Sequence, residues 1–345
     1  MKTILHICAG WQPWNGAANI ARMIMDEQLR EGHEVSFATW AKVRELRAAD
    51  EVWIHCGWLP CLWWAAFWAR KACWMPEACY DPVRLKFSVW KKKMVGPVER
   101  WALRRCAKIV ATCEAEKEWI EAYLRKRCPE IEVTDVKRFF DLGDRSQELG
   151  VSEGFSRKER KDRKENEGNG SKQETGNKKL NLLYLGRRHP LKGVAYLEAA
   201  VSELNSSNPP LPTPPLLKIV SNAFGDEKEK VWEWCDVLVL PTLSENFGLV
   251  VAEALERGKR VITTDGAPVW DPMGSVGVRE CGIGGVRMGE GMGEREDSST
   301  STLNFDSNIL IGYDGRLLYL RGYRDGTKEK RVELLKKAIE GVGLR

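Results

Sequence analysis

The chain has 345 residues, 43% of them hydrophobic and 30% charged, with a net charge of +5. That length and balance allow two domains with cores of their own and exclude a fibrous or wholly disordered chain. The longest apolar stretch, Gly57 to Ala69, falls short of the roughly 20 residues that a bilayer span needs. Met1-Lys2-Thr3 leads into a strand-like run rather than a signal peptide, so a cytoplasmic protein is expected. Ten cysteines, none in a Cys-x-x-Cys pair, read as free thiols in a reducing compartment, with no structural metal site expected.

Lys2 to Cys8 opens as a strand, Trp11 to Gly16 as a turn, Ala17 to Arg30 as a helix ending at Gly32, and His33 to Ala38 as a second strand. Strand, glycine-bearing turn, helix and strand make the opening unit of a doubly wound α/β domain. No strand is expected between Trp40 and Asp50. Glu51 to Gly57 reads as the next strand, Leu59 to Ala69 as an apolar helix, and Ala72 to Pro76 as a strand running into Glu77-Ala78-Cys79-Tyr80-Asp81-Pro82. As loop acids, Glu77 and Asp81 are expected to be solvated, with contact to the acceptor or donor as the alternative. His55, near a strand end, is either a packing residue or a ligand.

From Lys86 to Lys108 basic residues interleave with Phe87, Trp90, Trp101 and Leu103. Such a stretch suits an anionic membrane surface with aromatic side chains dipped into it, or else a solvated face on core helices. The first 140 residues carry 23 basic and 17 acidic side chains, so the positive charge gathers in this half. Nucleic-acid binding also suits a basic, aromatic stretch, but it leaves the acidic motif described below without a role, and no nucleic acid is expected as a partner.

Ser156 to Lys179 contain almost no apolar side chain and cannot bury enough surface to order themselves, so 149–178 reads as a flexible charged linker. Leu180 to Gly186 is then a strand, and Arg187-Arg188-His189-Pro190-Leu191-Lys192-Gly193 a basic turn. Val194, Leu197, Val201 and Leu204 form one stripe of a helix. Pro209 to Pro215 is a surface connection, and Leu216 to Val220 another strand. Only a short loop is expected between Ser221 and Val231.

Asp236 to Pro241 reads as a buried parallel strand, followed by the loop that carries Ser244-Glu245-Asn246-Phe247 and by a helix from Gly248 to Arg257, closed by Gly258. The first amides of that helix, near Asn246 to Leu249, lack intrahelical partners and suit an anion. Glu253 follows about 8 Å along the axis, at roughly 1.5 Å per residue. That offset matches the distance from a diphosphate to the ribose of a nucleotide. Both the basic turn and the acidic loop leave carboxyl ends of strands, where open α/β sheets bind ligands. The Gly- and Ser-rich stretch 288–301 reads as a mobile loop, and Lys328 to Val342 as a closing helix.

Three segments together resemble a known family: Gly-Arg-x-x-x-x-Lys-Gly, Pro-Thr-x-Ser-Glu-x-Phe-Gly-x-x-x-x-Glu-Ala, and Arg260 to Pro268. They are similar to the carboxyl-terminal half of retaining glycosyltransferases of GT-B fold, the large family that includes sucrose synthases and many bacterial envelope enzymes. The resemblance implies two Rossmann-like doubly wound domains facing a cleft. It also implies transfer of a sugar, with retention, from a nucleotide-sugar donor, a UDP-sugar being the expected one. Glu245 would contact the donor sugar, Glu253 the ribose, and Arg187 and Lys192 the diphosphate. Asn246, Phe247, Gly248 and Leu249 would contribute at the donor site, and Gly16 would approach the donor phosphates. The family's His-Gly or Arg-Gly pair is replaced after the Ala72 to Pro76 strand by Glu77 to Asp81.

The chain has no Asp-x-Asp triplet of the kind that holds Mg²⁺ beside a diphosphate, so Arg and Lys are expected to neutralise it, with no cofactor or metal. The expected division is an acceptor-side domain over 1–148, the linker over 149–178, and a nucleotide-sugar domain over 179–345. The expected acceptor is a saccharide or lipid-linked molecule of cell-envelope polysaccharide or lipopolysaccharide synthesis, met at the inner face of the membrane. Two other readings stand beside it: a nucleotide-sugar-binding relative without turnover, and a basic peripheral membrane or nucleic-acid adaptor.

Overall fold

The computed structural model describes residues 1–12, 15–125, 128–140, 142, 179–207, 209, 213–221, 223–273, 308–313 and 315–343. The expected linker over 149–178, the expected loop over 288–301 and residues 210–212 of the Pro209 to Pro215 connection lie outside them.

The amino-terminal half is built in the order β1 (Thr3–Cys8), α1 (Gly16–Arg30), β2 (Glu34–Ala38), α2 (Val43–Ala48), β3 (Glu51–His55), α3 (Pro60–Trp68) and β4 (Ala72–Met75). It continues through α4 (Pro82–Leu85), α5 (Val89–Arg104), β5 (Lys108–Ala111), α6 (Glu114–Leu124) and β6 (Glu130–Val133). The six strands form one parallel sheet in the order β2-β1-β3-β4-β5-β6. Its central strands are buried almost end to end, as in Ala72–Met75, because helices cover both faces. The edge strands Glu34–Ala38 and Glu130–Val133 are exposed at alternate or more residues. The interval between Trp40 and Asp50, where no strand was expected, holds the short helix α2. The third strand of the sheet is Glu51–His55.

The carboxyl-terminal half follows as β7 (Asn181–Leu185), α7 (Val194–Asn205), β8 (Leu216–Val220), α8 (Gly225–Trp234), β9 (Val237–Val239) and α9 (Leu249–Glu256). It ends with β10 (Arg260–Thr264), β11 (Ile309–Gly312), β12 (Leu317–Leu320) and α10 (Lys328–Gly343). The second sheet runs β11-β12-β10-β9-β7-β8, with β11 the one antiparallel strand among those described. The predicted stripe of α7 is the buried one: Val194, Leu197, Val201 and Leu204 all lie in the core.

Three elements of this half, one helix and a pair of strands, were not expected. The short loop anticipated between Ser221 and Val231 is the ten-residue helix α8. Its Gly-Asp-Glu-Lys-Glu-Lys start is too polar to show an apolar stripe, and only Val231 and Trp232 are buried. The hairpin β11–β12 is likewise new, its first strand directly following residues outside the described set.

Each sheet has one topological switch point, between β1 and β3 in the first and between β7 and β9 in the second. There the connections leave toward opposite faces and open a crevice. The basic turn follows β7 and the acidic loop follows β9, so both edges of the second crevice carry predicted residues.

Close backbone packing holds these two loops together. Gly193 has a φ of +64°, and a Cβ there would meet the Pro241 carbonyl oxygen at 1.9 Å. The Leu243 amide donates to the Leu191 carbonyl at 2.7 Å across the same seam. Gly193→Ala should therefore cost roughly 2–4 kcal/mol, since it adds left-handed strain to a clash with backbone that cannot rotate away. Equilibrium denaturation would measure it, and an unchanged midpoint would show that the two loops are not pinned here.

Candidate functional site

Glu245 and Lys192, 53 positions apart, form an ion pair at the second switch point; their side chains are 17% and 14% exposed. The Glu245 amide donates to the Gly266 carbonyl at 2.7 Å, which sets the loop against the exit of β10. Burial alone would raise the Glu245 carboxyl, but Lys192 and then Arg84 outweigh it and hold it below its ordinary 4.5. It is thus an anion at neutral pH, accepting but not donating hydrogen bonds.

Arg187, expected beside Lys192, is exposed on the same turn, with its carbonyl fixed by the Tyr184 hydroxyl at 2.9 Å. His189 reports on the local charge: burial first, then Arg187, Lys192 and Arg84, depress its imidazole below 6.5. Three cations therefore converge on this turn. Arg84 comes from the amino-terminal domain, and the sequence reading did not include it.

Asn246 is buried at 9% exposure, and Thr112 Oγ1 of the other domain lies 3.1 Å from its Oδ1. Thr112 Oγ1 also lies 2.7 Å from Glu116 Oε2. One hydroxyl hydrogen cannot serve two acceptors. With the amide turned end for end, Asn246 Nδ2 donates to Thr112 and Thr112 donates to Glu116, which satisfies all three groups. In either orientation one end of the Asn246 amide remains available at the domain junction.

The helix begins later than expected. Gly248, at φ +70°, is the cap, and Leu249 is the first helical residue of α9. The Asn246 amide is taken by its neighbour's carboxylate, Glu245 Oε1, at 3.2 Å. The amides of Phe247, Gly248, Leu249 and Val250 follow it at the start of the helix, before Val251, which donates to the Gly248 carbonyl. Phe247 belongs to the core by its side chain, at 1% exposure, stacked on Phe140 and tilted against Trp270.

Glu253 lies on the side of α9 that meets α8, where Lys228 Nζ is 2.7 Å from its Oε2. The unexpected helix thus supplies the partner of the carboxylate assigned to the ribose. Gly16 is exposed, with nothing within 4 Å of where a Cβ would sit, and heads α1 behind the cap Asn15, whose Oδ1 accepts from Ala17. Among the described residues nothing stands in the way of a ligand approaching Gly16.

Glu77 and Asp81 are not solvated, contrary to expectation: they are 4% and 0% exposed. Asp81 bridges the domains. Its carboxylate pairs with Arg324 and accepts from Ser244 Oγ, while Arg84 Nε donates to Ser244 Oγ at 2.8 Å. The loop carrying Arg324 is itself set by Asp265, whose carboxylate accepts from the Gly322 and Arg324 amides, each at 2.7 Å. Asp81-Pro82 is a legible cap signal, and Asp81 caps Val83 at 2.8 Å. Nothing in the local sequence marks Arg324.

At the other switch point a buried polar chain runs from Gln28 Oε1 to His6 Nε2 (2.8 Å), from His6 Nδ1 to His55 Nε2 (3.0 Å), and from His55 Nδ1 to Glu77 Oε1 (3.1 Å). His55 is therefore a satisfied interior residue. Burial drives both imidazoles down to about 3, so both are neutral. Burial, followed by Glu116, pushes Glu77 well above 4.5. One proton arrangement suits all of this. His6 donates to Gln28, His55 donates to His6, and protonated Glu77 donates to His55.

A carboxyl with a raised folded-state value stabilises the fold fully below 4.5 and loses that contribution as pH rises toward the folded value. Glu77→Gln keeps a donor for His55 and cannot ionise. The stability of Glu77→Gln relative to wild type should therefore climb as pH rises above about 4.5. Denaturation curves at several pH values would show it, and a flat difference would mean that Glu77 ionises as readily folded as unfolded.

Among the described residues no group of three or more His, Cys, Asp or Glu could hold a metal ion, and the nine described cysteines are unpaired. No described helix is long and apolar enough to cross a membrane. The basic, aromatic stretch is mainly α5, with Trp90 64% and Met94 68% exposed.

No protein-family model matches the chain, and no curated protein matches it. Solved structures do. A sucrose-phosphate synthase from Thermosynechococcus elongatus is similar at 12% identity and a TM-score of 0.48, over 76% of this chain and 81% of that one. The catalytic domain of starch synthase IV from Arabidopsis thaliana, bound to ADP and acarbose, is similar at 10% identity and 0.43, over 98% and 95%. WaaG, a glycosyltransferase involved in lipopolysaccharide biosynthesis, aligns at 12% identity with a TM-score of 0.52, over 99% of this chain and 92% of that one. Two doubly wound α/β domains, in the GT-B arrangement of that glycosyltransferase, are the fold of this chain.

Proposed function

We propose that the chain is a retaining, metal-independent glycosyltransferase that moves a sugar from a nucleotide-sugar donor to a saccharide or lipid-linked acceptor. The observation that carries the reading is the Lys192–Glu245 pair at the switch point of the second sheet, with Arg187 and Arg84 converging on the same turn. Breaking the bond from the anomeric carbon to a nucleoside diphosphate leaves charge on the phosphate oxygen. Fixed cations stabilise that charge as it develops and need little reorganisation. Glu245, ionised and acceptor-only, suits the hydroxyls of the donor sugar. Glu253, one turn into α9, suits the ribose, with the Leu249 and Val250 amides between them for the diphosphate.

In the proposed step the acceptor hydroxyl oxygen bonds to the anomeric carbon on the face that the diphosphate is leaving. The acceptor's proton passes to the departing phosphate oxygen, and the nucleoside diphosphate leaves with it. The exposed aromatic and basic surface of α5 supports an acceptor met at an anionic membrane face, in cell-envelope saccharide synthesis.

A thermal-shift screen of UDP-, GDP-, ADP- and CMP-sugars tests the donor. A ligand at a hundredfold excess over its Kd adds about 2.7 kcal/mol, and a UDP-sugar is expected to give the largest shift. Transfer to an acceptor with the donor's anomeric configuration completes the test. Binding without transfer across a broad acceptor panel would replace the enzyme with a nucleotide-sugar-binding protein.

A further inference from the structure

A second cavity, of about 380 Å³, opens in the amino-terminal domain between α4, α5 and α6. Its wall is aromatic. Tyr80 and Tyr123 stack with ring centroids 4.5 Å apart, and Trp58 meets both edge-on at 5.7 and 5.5 Å. Trp119 completes the lining. Beneath the wall the buried Glu99 fixes it in place, accepting from the Trp58 amide at 2.9 Å and the Tyr80 hydroxyl at 2.6 Å.

The rim is cationic: Lys92, Lys93, Arg100 and Arg125 line the cavity, and none of its twelve lining residues is acidic. Lys92 Nζ lies 5.4 Å from the Trp58 ring, and the Arg100 guanidinium 5.3 Å from the Tyr123 ring. Trp58 and Arg125 both hold positive φ, 68° and 62°, a strain that persists where the surroundings fix a side chain's direction.

The cavity adjoins the cleft. Pro82, on its lining, follows the interdomain bridge Asp81, and the outer partner of that bridge, Arg324, lies 5.0 Å over the Trp119 ring.

We propose that this cavity is the acceptor subsite and takes an anionic saccharide, a sugar carrying a phosphate or carboxylate. A sugar ring presents C–H groups that lie well against aromatic faces while its hydroxyls stay wet. Arg and Lys on the rim pair with the anionic substituent. The assignment deepens the glycosyltransferase reading and rests on it for the word acceptor, but the binding itself is measurable without any donor.

The test is titration of the full chain with glucose 6-phosphate, glucuronate, glucose and inorganic phosphate, for wild type and for Trp119→Ala and the Lys93→Gln, Arg100→Gln double variant. The charged sugars should bind at least tenfold more tightly than glucose or inorganic phosphate. Which of the two binds better names the anion. Trp119→Ala should weaken both sugars, and the double variant should erase the preference over glucose, with the thermal shift from a nucleotide sugar unchanged. Equal binding of glucose and glucose 6-phosphate overturns the proposal, as does phosphate binding as tightly as its sugar ester. Binding of phosphatidylglycerol vesicles that the double variant abolishes, without sugar binding, also overturns it in favour of a membrane contact. If the charged sugars bind while no nucleotide sugar does, the subsite stands and the donor reading falls.

Discussion

Lys192→Met should slow sugar transfer on the order of 10²–10³-fold, the loss typical when one fixed partner of a developing oxyanion is removed. The lysine is held by Glu245 at the seam that Gly193 pins, so its charge is in place before the leaving group forms. Most of the loss should fall in kcat, because the interaction strengthens as the bond breaks. Glu245→Gln removes the carboxylate proposed to accept from the donor sugar and should also lower kcat. Glu253→Ala is expected to behave differently, weakening nucleotide binding with a smaller effect on kcat, because the ribose carries no developing charge. Steady-state kinetics of the three variants, with thermal melts to confirm folding, provide the check. Undiminished activity in the Glu245→Ala, Glu253→Ala double variant would remove both glutamates from the mechanism.

Much of this site was legible because its signals are local. An apolar strand, a loop with fixed residue types and an amphipathic helix occupy one window from Asp236 to Gly258, and the structure places β9 and α9 there. The strand and stripe at Leu180 to Leu204 are legible for the same reason. What stayed hidden depends on distant partners. Arg84 and Arg324 look like surface cations until the fold brings them to Ser244 and Asp81. Glu77 and Asp81 read as solvated because a carboxylate in a loop normally is. Their burial follows from groups 22 and 243 positions away, His55 and Arg324. Helix α8 was missed because it buries only two residues, so its sequence carries the composition of a loop.

Asp81→Ala should cost on the order of 3–5 kcal/mol of contact between the domains, the range found when one partner of a buried ion pair is deleted. Asp81 is fully buried and receives Arg324 on one oxygen and Ser244 on the other, so its loss strands a guanidinium that is 12% exposed and a hydroxyl with none of its surface free. Two outcomes can relieve that stranding. The domains can separate and hydrate the charge, or the chain can unfold more readily as a unit. Separation leaves each sheet whole, because the sheets have hydrogen-bond ladders of their own, and it opens the other described links between the domains, polar ones such as Arg84–Ser244 and Thr112–Asn246 and the apolar stack of Phe140 on Phe247. Asp81→Ala is therefore expected to raise the radius of gyration in solution scattering and to weaken donor binding, while each sheet keeps its far-ultraviolet signature. Asp81→Asn, which retains an acceptor for Ser244 but not the charge, should fall between it and wild type. Scattering curves and melting midpoints indistinguishable across the three proteins would show that Asp81 does not hold the cleft closed.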